Sequence, residues 1–268
     1  MSTFFSDKVT KLESSISFDD ILIKPAYSNV LPTETEVSLT LSNGIVMKVP
    51  VFSAAMDTVT GYEMARAMAA SGGCGPLHKN TTVEENIESL KKLKEEFGNE
   101  KPICVSVGVS NTHDEIKRLI EAGANTVMID CAHGHSENVG VLTKWISENF
   151  PDVYLIAGNV VTKEGAEFLI SRGAKAVKVG MGCGSTCTTR KVTGVGRGQI
   201  SSIVEVADYC KDKGIMVIAD GGIRSNDEIM KAIACGADAV MMGYMFSGCD
   251  ECPGEIVEMD GEKYKYYR

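Results

Sequence analysis

The segment Ser171-Arg-Gly-Ala-Lys-Ala-Val-Lys-Val179 carries the pattern that decides the fold. It ends an amphipathic helical stretch on a glycine and passes at once into a short apolar run. The same punctuation stands at Glu121-Ala-Gly-Ala124, ahead of Thr126-Val-Met-Ile-Asp130, and at Ala234-Cys-Gly-Ala237, ahead of Ala239-Val-Met-Met242. A glycine suits the left-handed position after a helix. Strands that are apolar throughout, rather than alternating, belong to parallel sheets covered on both faces.

Outward from these units the rhythm extends over most of the chain. Further strands are expected at Val51-Phe-Ser-Ala-Ala55, Cys74-Gly-Pro-Leu77, Ile103-Cys-Val-Ser-Val107, Val153-Tyr-Leu-Ile-Ala157 and Ile215-Met-Val-Ile-Ala219. Helices are expected at 61–71, 83–97, 112–122, 137–150, 163–171, 199–212 and 226–234. Eight strands with regular helices between them predict an α/β fold of the (β/α)8 TIM-barrel type. After the eighth strand no stretch reads as the last helix. A doubly wound open sheet is the alternative, but it usually has fewer strands.

Val37-Ser-Leu-Thr-Leu41 and Ile45-Val-Met-Lys-Val49, joined by Ser42-Asn-Gly44, predict a β-hairpin capping one end of the barrel. A second hairpin is expected near the C-terminus, turning at Asp260-Gly261. The organisation is one barrel domain over 1–268. It has an N-terminal segment and hairpin at 1–50, barrel elements at 51–248, and the C-terminal hairpin at 249–268.

Composition narrows the function classes. A net charge of −9 argues against nucleic acid as partner, while leaving room for a local phosphate pocket. No apolar run is long enough for a membrane span. The polar start lacks the form of a secretory signal, so a cytoplasmic setting is expected. Nine cysteines, an odd count, fit reduced thiols better than a disulfide framework. Cys249-Asp-Glu-Cys252 has no second pair to complete a zinc site.

In such a barrel, function gathers at the carboxyl ends of the strands. Those positions are Met56-Asp57, His78-Lys79, Asp130-Cys131-Ala132 leading to His133-Gly-His135, Gly158-Asn159, Asp220-Gly-Gly222 and Gly243-Tyr244. The sixth strand opens into Gly180-Met-Gly-Cys-Gly-Ser-Thr-Cys187-Thr-Thr-Arg190. Cys187 lies there among hydroxyls and glycines and is a candidate nucleophile. Glycines after strands seven and eight suit a phosphate, because exposed N–H groups favour an anion. Lys79 reads equally as a solvated lysine or as a cation beside a nucleotide. His133 and His135 with Asp130 lack a third metal ligand of comparable quality.

Together, Ser53-Ala-Ala-Met-Asp-Thr-Val-Thr60, Gly180–Arg190, Thr193-Gly-Val-Gly196, Asp220-Gly-Gly-Ile-Arg224 and Pro253-Gly-Glu255 resemble the IMP dehydrogenase/GMP reductase family. The resemblance runs from about Phe18 to Arg268. It implies attack of Cys187 on purine C2 of a nucleoside monophosphate, with Thr189 in proton transfer and Lys79 matching a lysine important in the reductase. Ser185, Asp220, Gly222 and Gly243 would hold ribose and phosphate, with Met56 and Tyr244 beside them. Asp130, Cys131, Ala132 and Asn159 would line the nicotinamide side. Carbonyls of Gly182, Gly184 and Cys187 correspond to a potassium site in many dehydrogenases.

The stretch without the regulatory CBS pair, and motifs such as Asn159-Val-Val-Thr162, favour GMP reductase with NADPH. IMP dehydrogenase with NAD is the alternative, and a nucleotide-binding or assembly subunit is an alternative of another class. Two departures stand out. Cys183 replaces the usual proline, and Tyr244 stands where a small residue is usual. The family's flap residues and last helix are expected beyond Arg268, or on a separate chain. A homotetramer is implied.

Overall fold

The computed structural model describes residues 14–267; the polar start of the N-terminal segment and Arg268 lie outside the described residues. The barrel is built from β3 (Val51–Ser53), α1 (Tyr62–Ser71), α2 (Val83–Phe97), β4 (Cys104–Val107), α3 (His113–Glu121) and β5 (Thr126–Asp130). It continues with α4 (Glu137–Asn149), β6 (Tyr154–Val160), α5 (Lys163–Ile170), β7 (Ala176–Val179), α6 (Thr189–Thr193), α7 (Gln199–Cys210), β8 (Met216–Asp220), α8 (Asn226–Ala234) and β9 (Ala239–Met242).

Helices start where a side chain satisfies the free N–H groups of the first turn. The Thr82 hydroxyl accepts from the Glu85 N–H while the Glu85 carboxylate accepts from the Thr82 N–H, opening α2. Thr112 and Glu115 repeat this reciprocal cap at α3. The glycines of the recurrent punctuation have positive φ: 127° at Gly123, 96° at Gly173 and 104° at Gly236. Gly173 also packs so closely that a Cβ there would sit 1.9 Å from Ser147 Oγ, so backbone and packing both require glycine.

Seven parallel strands follow the order β3-β9-β8-β7-β6-β5-β4. The gap between β3 and β4 is spanned by two isolated bridges, Phe52 with Cys74 and Leu77 with Val105, which close the ring. The second strand expected over Cys74–Leu77 is therefore not a continuous strand. Pro76 has no N–H to donate, and Gly75 presses on α1, where a Cβ would lie 2.6 Å from Ala65 Cα. Where a (β/α)8 barrel places its last helix, after β9, none is found among the described residues. A short 3-10 turn, Tyr244–Phe246, leads instead towards β10 (Val257–Met259) and β11 (Glu262–Tyr264). Their turn has φ of 53° at Asp260 and 79° at Gly261, as a tight hairpin demands.

Each strand divides its side chains between two cores. On β5, Val127 and Ile129 face the helices while Met128 points into the barrel; Leu155 and Ala157 flank Ile156 in the same way on β6. The N-terminal hairpin is shorter than expected, with β1 at Leu39–Thr40 and β2 at Val46–Met47. Leu41, Ile45 and Met47 are buried in the same cluster as Tyr154 and Met216, closing the end where the strands begin. Asn43 Nδ2 ties the turn to the Asn125 carbonyl at 3.2 Å. No helix among the described residues is long and apolar enough to cross a membrane.

Met47 is fully buried, whereas Leu22 is 89% exposed. Met47→Ala should lower the unfolding free energy by about 2–4 kcal/mol in urea denaturation, and Leu22→Ala by less than about 0.5 kcal/mol. Equal effects would place the hairpin outside the core.

Candidate active site

The site grows from the inward-facing series of each strand. Met128, Ala176 and Ile218 point into the barrel. Two residues further along, the same face carries Asp130, Lys178 and Asp220, because side chains alternate with period two. Where β6 would add another side chain it has Gly158, whose Cβ would sit 2.6 Å from Lys178 Cβ. The barrel is thus apolar in its middle and charged at the carboxyl end.

Lys178 is 3% exposed, and its Nζ lies 2.9 Å from Asp130 Oδ1 and 2.7 Å from Asp220 Oδ2. Asn159 Nδ2 also donates to Asp220 Oδ2, at 2.8 Å, and to the Gly180 carbonyl at 2.7 Å. Lys79 bonds the Asp130 carbonyl and stands 3.8 Å from its carboxylate. Burial opposes the charge on Lys178, but the two carboxylates more than offset it and hold the ammonium above its usual range. Burial likewise pushes the Asp130 carboxyl up, yet Lys178 and Lys79 pull it further down, so it titrates below the ordinary carboxylate range. The stability Asp130 contributes is therefore present at neutral pH and is lost in acid as its folded-state value is crossed. Lys178 was not among the residues expected at the site. A lysine inside the apolar run Ala176-Val-Lys-Val179 was the available signal, since a buried charge needs partners.

The turns after β5 and β6 lock together. Cys131 N–H donates to the Gly158 carbonyl at 3.1 Å, and Asn159 N–H donates to the Cys131 carbonyl at 2.7 Å. Ala132 is exposed at this rim. Asn159 Oδ1 is buried and finds no hydrogen-bond partner among the described residues. His135 packs on Phe168 at 4.9 Å, and no group of side chains suited to a metal ion occurs among the described residues.

The cysteine loop folds back on itself. Cys187 N–H donates to the Gly184 carbonyl at 3.1 Å, and the Cys187 thiol donates to Thr189 Oγ1 at 3.3 Å. Thr189 opens the five-residue helix α6, an element unforeseen within what read as a loop. Of the glycines whose carbonyls are expected at a potassium site, Gly184 accepts from the Cys187 N–H, and Gly182 is packed under the Arg190 side chain. Cys183 turns its thiol to the Asp220 carbonyl at 3.4 Å. Burial, with Asp220 nearby, pushes that thiol up to about 12.

A cavity of about 490 Å3 lies beside the loop, lined by Cys183, Ser185, Gly222, Arg224 and Tyr244. It unites three of the residues expected around a phosphate. Tyr244 is 51% exposed and meets the Tyr267 ring edge-on at 6.2 Å, so it borders the cavity rather than filling it. Gly243 is wedged nearby: a Cβ would sit 2.6 Å from Tyr267 Oη and 3.4 Å from Met56 Sδ. Tyr267 is another residue unforeseen here. Lys265 holds the hairpin down through the carbonyls of Cys249 and Cys252, at 2.9 and 2.8 Å, which gives that C-x-x-C pair a structural role. A larger cavity, about 730 Å3, opens at the opposite end near Leu39 and Cys210 and holds none of these residues.

A family description, IMP dehydrogenase / GMP reductase domain, matches residues 15–268. The chain belongs to this family. It is 38% identical to the inosine-5'-monophosphate dehydrogenase of Borreliella burgdorferi, an alignment covering 97% of this chain and 76% of that protein. With the enzyme of the same name from Cryptosporidium parvum it shares 38% identity, over 94% and 73% of the two chains. The Aquifex aeolicus counterpart is 31% identical, over 96% and 78%. IMP dehydrogenase / GMP reductase members are oxidoreductases, and the barrel, strand-end charges and cysteine loop of this chain fit that class.

Burial, with Asp220 nearby, raises the Cys183 thiol, which a thiol reagent should read. At pH about 8, iodoacetamide should modify Cys187 well before Cys183, as peptide mass mapping would report. Faster labelling of Cys183 would contradict the buried, hydrogen-bonded thiol described above.

Proposed function

We propose that the chain acts at purine C2 of a nucleoside monophosphate, in the IMP dehydrogenase direction. The observation that carries this is the Cys187 thiol, held 3.3 Å from Thr189 Oγ1 beside the Ser185–Gly222–Tyr244 cavity. The reductase motifs had favoured GMP with NADPH. The relatives carry the dehydrogenase name, which favours IMP with NAD.

In this reading the nucleotide phosphate sits in the cavity, against Ser185, the backbone at Gly222 and Gly243, and the Tyr244 hydroxyl. Asp220 takes the ribose hydroxyls, and Met56 packs by the base. Cys187 Sγ adds to C2, passing its proton through the Thr189 hydroxyl. NAD, when bound, supplies the acceptor for the hydride that leaves C2. Water then attacks the thioimidate carbon, the C2–S bond breaks, and XMP and the free thiol are released.

For the cofactor side, the buried, unpartnered Asn159 Oδ1 suits a donor such as a carboxamide N–H. Asp130, Cys131 and Ala132 stand on the same rim. Lys79 is paired with Asp130, so its part is to hold that carboxylate. A cytoplasmic setting and a homotetramer belong to the same proposal. No step is routed through potassium.

Incubation with IMP and NAD should produce reduced cofactor, read by absorbance; GMP with NADPH run in parallel separates the reductase direction. Cys187→Ala should lower turnover at least about a thousandfold while IMP binding persists. Nucleotide binding with no turnover in either assay would favour a binding or assembly subunit.

A further inference from the structure

We propose that Lys178 is the positioning residue of the site: it keeps Asp130 and Asp220 ionised side by side and aims their remaining oxygens at the ligand. The ligand half of this inference rests on the nucleotide reading above; the electrostatic half does not.

One ammonium touches both carboxylates, at 2.9 and 2.7 Å. Two carboxylates within reach of a single nitrogen are close enough to repel strongly, and without a shared cation one of such a pair takes up a proton. Lys79 cannot replace Lys178, because it contacts only Asp130 and its side chain is 33% exposed against 3%. A partly exposed charge at 3.8 Å is screened; a buried one at hydrogen-bond distance is not.

The other groups facing the pair are few. Asn159 Nδ2 donates to Asp220 and carries no charge. The Cys183 thiol and the Tyr267 phenol both have their titration raised by burial, with Asp220 adding to the rise, and stay neutral near pH 7. Lys178 is thus the cation that governs both carboxylates. The ammonium occupies one oxygen of each, and Asn159 shares the Asp220 oxygen that Lys178 holds. Asp220 Oδ1 is left for a ligand hydroxyl. Gly158 lets β6 pass close beside Lys178, since a Cβ there would sit 2.6 Å from Lys178 Cβ.

The test reads the carboxyls directly. Protein labelled with 13C at aspartate carboxyls is titrated by NMR as wild type, Lys178→Met and Asp220→Asn. In Lys178→Met one carboxyl of the pair should titrate at least about one pH unit higher than in wild type. In Asp220→Asn, with its like-charged neighbour gone, Asp130 should titrate lower than in wild type. Unchanged midpoints in Lys178→Met overturn the proposal. Should that variant fail to fold, an unchanged or raised Asp130 midpoint in Asp220→Asn overturns it instead. IMP affinity by calorimetry should weaken in acid from a correspondingly higher pH in Lys178→Met. If wild-type protein binds no IMP, the nucleotide reading fails, while the titrations still decide the role of Lys178.

Discussion

The carboxyl end of this barrel depends on one buried ammonium held between two carboxylates. Lys178 joins the ends of β5, β7 and β8 across the barrel mouth, and Asn159 adds β6 through the oxygen it shares with Lys178. Removing a single partner from such a cluster strands an uncompensated buried charge, which costs several kcal/mol, whereas the intact cluster roughly balances its desolvation. Its value is therefore geometric. Four strand ends are held at fixed spacing in a region where no apolar core can do so.

Against that fixed rim stands the cysteine loop. Its glycines serve contact as much as flexibility. Gly180 presses on Asp220, where a Cβ would lie 2.0 Å from the carbonyl oxygen, and Gly182 runs beneath Arg190. The loop is thereby pinned at its base to the strand that carries the charge cluster. Its tip, from Gly184 to Thr189, is shaped by a backbone turn and by the thiol–hydroxyl contact. Cysteine loop and ionic cluster share Asp220: its carboxylate meets Lys178, and its carbonyl accepts from the Cys183 thiol and from Gln199.

Most of the scaffold was legible in the residues. The helices at 83–97 and 226–234 lie where amphipathic period and capping residues put them, and the glycine punctuation adopts the positive φ it suggested. Cys74–Leu77 was misread, because an apolar run reads as a strand while its ladder depends on Pro76 lacking an N–H and on Gly75 meeting α1. The short helix α6 was missed because five residues carry too little period to register. Lys178 was missed for another reason. Its importance lies in partners 48 and 42 residues away, which local pattern does not reveal.

By itself the sequence determined the barrel class, the capping hairpin, the place of the glycine-rich cysteine loop and the family resemblance. These rest on local periodicity, turn chemistry and short motifs, all carried by neighbouring residues. Only the tertiary structure decided that Lys79 meets Asp130, that the Gly184 carbonyl accepts from Cys187 within the loop, that Tyr267 returns to the site, and that Lys178 unites two strand ends. Each of those depends on distance between residues remote in the chain, and such distances exist only once the sheet has closed.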